Sequence, residues 1–235
     1  MSILGLPVIL LCGRRESAAT NRLRAVGIEP ICLFPPRDAE SPVRGCFAAH
    51  RQGLEYAQHN GLLPCIIVED NVKVTLGFDA ARTRDTIARA LALQPSVVLL
   101  ARFPFSRGVL HRYAQRNLLE VGRGSVTGCT AYVATTRTVA LCPAWRGTPI
   151  DNEMASWPDR LAMVPMPFCR SSTSTTNKWV WAQRWRVPSL VANAWLMILP
   201  WFAQYAQYLD NLPSLVIGLL MIVALLLYLL HWRKS

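Results

Sequence analysis

The chain lacks the pairings that mark disulfide-rich or zinc-ribbon proteins. None of its seven cysteines forms a Cys-x-x-Cys pair, which argues against a structural zinc site of the usual spacing. Their number is odd and most lie in apolar runs, so they read as reduced, buried thiols. No Asn-x-Ser/Thr acceptor occurs either. Both absences lean towards a cytosolic setting. Acidic residues are scarce, 14 against 25 basic ones, for a formal charge of +11. Charged residues of both signs reach only 17%, against 52% hydrophobic. That balance favours anionic partners: phosphates, nucleic acid or an anionic membrane surface. An arginine-rich surface also serves solubility alone. Nucleic-acid binding has only the charge behind it, with no helix-turn-helix, zinc-finger or RNP-like pattern. The start, MSILGLPVILLCGRR, does not read as a signal peptide, because its apolar run is short, no basic residue precedes it, and Arg14 and Arg15 follow.

What is present is an alternation of strand-like and helix-like segments from residue 7 to about 168. Pro7–Cys12 reads as a buried strand, 17–26 as a helix closed by Gly27, and 28–34 as a strand stopped by Pro35-Pro36. In RGCFAAHRQGLEYAQHNG, Phe47, His50, Leu54 and Ala57 recur at helical spacing. The strand Ile66-Ile67-Val68 ends abruptly in Glu69-Asp70-Asn71. A helix is expected over 78–93, a strand over 97–101, and a Gly- and Arg-rich loop region over 102–128. A strand over 129–135 and a short helix over 151–161 complete the pattern. It predicts an α/β domain with a largely parallel or mixed sheet.

Residues 171–177 then form a polar, low-complexity linker. Trp179, Trp181 and Trp185 follow, interleaved with Lys178, Arg184 and Arg186, a mixture suited to a membrane–water interface. The segment 212–230, LPSLVIGLLMIVALLLYLL, is uncharged and long enough to cross a bilayer. Residues 187–206 are uncharged too, and read as a first span or as a helix lying in the interface. Basic residues flank the outer ends of this pair and Asp210 lies between, which favours a hairpin with both ends cytosolic. The alternatives are a tail anchor or a lumenal domain. The expected organisation is therefore a domain over 1–170, a linker and interfacial segment over 171–186, and a membrane anchor over 187–235.

Carboxylates at the carboxyl end of a sheet strand lie where open α/β sheets bind ligands, although an isolated acidic pair after an apolar run is more often a turn. Glu69, Asp70 and Asn71 are the acid-rich cluster at a predicted strand end, and their oxygens suit a hard divalent cation. Arg14 and Arg15, just after the first strand, read either as phosphate contacts or as ordinary surface charges. His50 reads either as a donor contact or as a packed core histidine, and Asp151 as a general base or a helix N-cap. Tyr132 reads as a core aromatic or a pocket wall.

Taken in order, several segments resemble glycosyltransferase family 25, which includes lipooligosaccharide and collagen galactosyltransferases. They are VILLCGRRES, Gly45-Cys46-Phe47-Ala48-Ala49-His50, Val68-Glu69-Asp70-Asn71-Val72, SVVLLARF, Thr130-Ala131-Tyr132-Val133-Ala134-Thr135 and Pro149-Ile150-Asp151. The resemblance covers about residues 6–168. It implies a GT-A-like nucleotide-sugar-binding fold, a UDP-sugar donor with a divalent cation such as manganese, and transfer of a hexose, commonly galactose, to a hydroxyl. The acceptor would be a glycan, glycolipid or glycoprotein near the membrane. On this reading Asp70 and Asn71 face the metal, Arg14, Arg15, His50 and Glu69 the donor, and Asp151 the attacking hydroxyl. Asn71 stands where the family carries an acid, and Ala49 where it carries serine. The alternative these two residues motivate is an inactive relative serving as a membrane scaffold or sugar-binding protein.

Overall fold

The computed structural model describes residues 2–13, 17–101, 110–112, 117–121 and 128–170. In chain order the elements are β1 (Val8–Leu11), α1 (Ala18–Arg24), β2 (Ile31–Leu33), α2 (Pro42–His59), β3 (Cys65–Glu69), β4 (Val72–Val74), α3 (Ala80–Ala92) and β5 (Val97–Leu99). There follow β6 (Leu110–Arg112), β7 (Leu118–Val121), β8 (Ala131–Ala134), α4 (Thr136–Leu141), α5 (Ile150–Ser156), β9 (Arg160–Met163) and β10 (Phe168–Arg170). The α/β expectation holds, with a mixed sheet ordered β2-β1-β3-β8-β5-β9-β7-β6. β1 runs parallel to β2 and β3, and β5 parallel to β9, while β8 is inserted antiparallel between β3 and β5.

The side-chain alternation of each strand explains why this sheet is covered on both faces. Val8 and Leu10 of β1, with Ile66 and Val68 of β3, pack towards Ala19 and Leu23 of α1 and Ile87 and Ala90 of α3. Ile9, Leu11 and Ile67 face the other way, against Phe47, Leu54 and Ala57 of α2 and Met154 of α5. Each fully buried aliphatic chain contributes about 1.5–3 kcal/mol relative to its exposed state. Gly53 of α2 brings the helix down onto β1, since a Cβ there would lie 3.0 Å from Leu11 Cδ2.

Three expectations are corrected. The stretch 102–128 contains β6 and β7, too short at three and four residues for a legible period. The helix expected over 151–161 stops at Ser156, because Pro158 disfavours helical backbone at Trp157, which is extended at ψ 146°. The chain then enters β9, which pairs with β5 and β7. Beyond the turn at Asp70-Asn71, Val72-Lys73-Val74 forms a strand that the sequence reading did not include, paired antiparallel with β10. Among the described residues no helix is long and apolar enough to cross a membrane. The linker, the Trp/Arg segment and both apolar segments of 187–235 lie outside the described residues, as do Arg14 and Arg15.

Candidate functional site

In the order β2-β1-β3 the chain leaves β1 to one side and returns on the other, so a crevice opens beyond the carboxyl ends of β1 and β3. A cleft of about 640 Å³ lies there. Antiparallel β8 contributes its entry residues, Gly128 to Thr130, to the same rim.

α2 forms one wall. Ser41 caps it, its Oγ accepting the Arg44 N–H at 3.2 Å. Gly45 lets the preceding loop lie on the first turn, since a Cβ there would sit 2.9 Å from Asp38 Cβ. Cys46 and His50, four residues apart, share the face turned to the sheet. His50 is only 1% exposed. Its Nδ1 lies 3.1 Å from the Tyr132 hydroxyl and its Nε2 3.1 Å from Glu69 Oε1. The His50 and Tyr132 rings stack with centroids 5.7 Å apart.

β3 forms the floor and ends in the acidic run. Glu69 turns inward: Cys129 Sγ lies 3.4 Å and Cys46 Sγ 3.9 Å from its Oε1, and Thr130 Oγ1 donates to its Oε2 at 3.4 Å. Asp70 is held differently. Its Oδ2 accepts the Gly13 N–H at 3.1 Å, and its carbonyl accepts from Arg22 Nη2 at 3.5 Å. Glycine at 13 gives this approach room, since a Cβ would lie 3.0 Å from Arg37 Nη2 and 3.1 Å from Asp70 Oδ2. Asn71 is 5% exposed, and its Oδ1 is buried with no hydrogen-bond partner. Arg37 and Arg170 also line the cleft.

Asp151 lies on the cleft's far wall, in the first turn of α5. It does not cap the helix: Pro149 occupies the cap position and no side chain bonds there. Burial raises its pKa, the Glu69 charge adds to the rise, and the carboxyl holds its proton to higher pH than an ordinary aspartate. For Glu69, burial alone would raise the pKa. The hydrogen bond and charge of His50, helped by Arg170, outweigh it and hold Glu69 down at about 2. His50 shows the converse: against burial, the Cys46 thiol and the Glu69 carboxylate push it up to about 10. Cys46 is drawn down to about 6 by Cys129 and, despite burial, by His50. Cys129 is raised by Cys46 and by burial.

The cleft thus gathers His50, Glu69, Asp70, Asn71 and Asp151 from the sequence reading. Tyr132 is fully buried beneath His50 and does not line it. Cys46, Cys129, Thr130, Arg37 and Arg170 went unrecognised. The Cys46-x-x-x-His50 spacing was a usable signal for the first, whereas the others arrive through strand pairing and loop packing that no local pattern encodes. Two donor sets differ in chemistry: the hard oxygens of Asp70 and Asn71, and the mixed set Cys46, His50 and Glu69, whose ligand atoms lie within 4.8 Å of one another. No family model matches the chain, and no curated protein matches it.

Proposed function

We propose that the protein is a membrane-anchored glycosyltransferase of GT-A-like fold, transferring a hexose from a UDP-sugar to a hydroxyl of a glycan, glycolipid or protein acceptor. One observation carries this reading. The Gly-Cys-x-x-x-His helix, the Glu-Asp-Asn strand end and the Pro-Ile-Asp turn, which are far apart in sequence, meet around one cleft at a topological switch point. Its volume, about 640 Å³, suits a nucleotide sugar.

Breaking a sugar–diphosphate bond leaves charge on the departing diphosphate. Arg37 and Arg170 on the cleft wall are the cations to bind and orient it, and Arg14 and Arg15, which follow β1 in sequence but lie outside the described residues, would add to them. The donor set fits a hard cation such as manganese: Asp70 supplies a carboxylate, and Asn71 an amide oxygen that is otherwise unsatisfied. Bound there, the ion would neutralise the diphosphate charge. Asp151 accepts the proton of the attacking hydroxyl. A basic, Trp-rich segment and apolar anchor would hold this domain against the cytosolic face, near a membrane acceptor.

The full-length protein in detergent, given UDP-hexoses and manganese, is expected to bind the donor and to transfer or slowly hydrolyse it. Absence of UDP-sugar binding would overturn the proposal. A second reading, an inactive sugar-binding scaffold, is favoured by Asn71 and by the engagement of Glu69 with His50, Cys129 and Thr130. Donor binding without turnover, with turnover gained on Asn71→Asp, would select it.

A further inference from the structure

The geometry points to a second metal centre, a thiolate-rich zinc site on the floor of the cleft, made by Cys46, His50, Glu69 and Cys129. It is distinct from the oxygen ligands of Asp70 and Asn71 and does not depend on the transferase reading.

Zinc at its usual bond lengths, about 2.3 Å to sulfur and 2.0–2.2 Å to nitrogen and oxygen, places tetrahedral ligand atoms about 3.2–3.8 Å apart. Two measured edges fall inside that range and two lie about 0.1 Å outside it. His50 Nε2 to Glu69 Oε1 is 3.1 Å, Cys129 Sγ to Glu69 Oε1 3.4 Å, Cys129 Sγ to His50 Nε2 3.5 Å, and Cys46 Sγ to Glu69 Oε1 3.9 Å. The donors come from α2, β3 and the segment just before β8. Cys46 and His50 lie at the i, i+4 spacing by which one helix face offers two ligands to one ion.

The surroundings match as well. A zinc-bound histidine donates its second ring N–H to an orienting group, and a bound carboxylate is itself hydrogen-bonded. His50 Nδ1 meets the Tyr132 hydroxyl at 3.1 Å, leaving Nε2 for the ion. Glu69 Oε2 takes the Thr130 hydroxyl at 3.4 Å, leaving Oε1. Two sulfurs, an imidazole and one carboxylate form a borderline-soft set that selects zinc over manganese or magnesium. Binding exchanges the Cys129 thiol proton, the Nε2 proton and whatever proton Cys46 retains for the dication. With four protein ligands the centre is closed, so it ties α2, β3 and β8 together under the cleft and performs no chemistry itself.

The test uses the full-length chain, purified in detergent with reductant and without chelator. Metal analysis should find one zinc per chain. Cobalt(II) titrated into chelator-stripped protein should bind one equivalent, with a thiolate-to-cobalt absorption band in the near ultraviolet. Cys46→Ser or Cys129→Ser should weaken that band, while Cys142→Ser, a free cysteine elsewhere, should leave it intact. Tyr132→Phe keeps the core filled and should lower cobalt affinity about 10–100-fold. A wild-type protein that binds neither zinc nor cobalt through thiolates overturns the proposal, and needs no variant to fold. So does a band that survives Cys46→Ser and Cys129→Ser together.

Discussion

His50 Nε2 and Glu69 Oε1 meet at 3.1 Å, joining the middle of α2 to the end of β3 beneath the cleft. Thr130, one residue before β8, holds the other oxygen of the same carboxylate. The contact is charge-assisted, because each partner holds the other in its ionised form.

Its pH dependence follows in protein stripped of metal. Glu69 falls to about 2 in the fold, so its contribution is complete above its ordinary value of 4.5 and is lost as pH drops towards 2. His50 rises to about 10, so its contribution is complete below 6.5 and is lost as pH climbs towards 10. Stability measured by urea unfolding should therefore be greatest between about pH 4.5 and 6.5 as far as this pair is concerned. In His50→Gln both slopes should flatten. Identical slopes in variant and wild type would remove the pair from the pH response.

Asp151→Asn should lower the turnover number by about 10²–10⁴-fold, the usual contribution of a general base, with little change in donor affinity. The aspartate's raised pKa means that the folded chain binds more protons than the unfolded one just above the ordinary value, so its ionisation costs stability at neutral pH. The variant should unfold at the same urea concentration or a higher one. Because the pKa is raised, the acid limb of the wild-type rate profile should lie above the range of an exposed aspartate.

Asn71→Asp adds a negative charge beside Asp70 and should tighten manganese-dependent donor binding, read by calorimetry with and without the metal. Asp70→Ala should abolish the metal dependence. It also leaves the Gly13 N–H without its acceptor, a loss of about 1 kcal/mol in stability.

Gly45→Ala tests the loop on α2. The added Cβ meets Asp38 Cβ at 2.9 Å and Asp38 N at 3.2 Å, atoms tied to backbone, so a loss of about 1–3 kcal/mol is expected by chemical denaturation. Gly53→Ala meets the movable end of Leu11 at 3.0 Å and should cost less. Alanine is the better helix former by about 1 kcal/mol, so a gain at both positions would show that neither contact constrains the helix.

The α/β alternation was legible because strands such as Val8–Leu11 and Cys65–Glu69 are continuous apolar runs, and α2 carries a full helical stripe. β6, β7 and β10 were not legible, since three or four residues show no period and their strand character comes from partners far away. Of the site, the run Glu69-Asp70-Asn71 stood out as acid at a strand end. Its division of labour did not, because neighbouring side chains leave a strand in opposite directions.

By itself the sequence determined what local periodicity can determine: a buried strand stopping at Glu69, and a helix showing Phe47, His50, Leu54 and Ala57 on one face. Tertiary structure alone decided that β8 runs antiparallel beside β3, so that Cys129 and Thr130 reach Glu69 while Asp70 turns to Gly13. Strand order depends on contacts between residues sixty positions apart, and such contacts are set by how two helical layers cover one sheet rather than by any neighbouring residue.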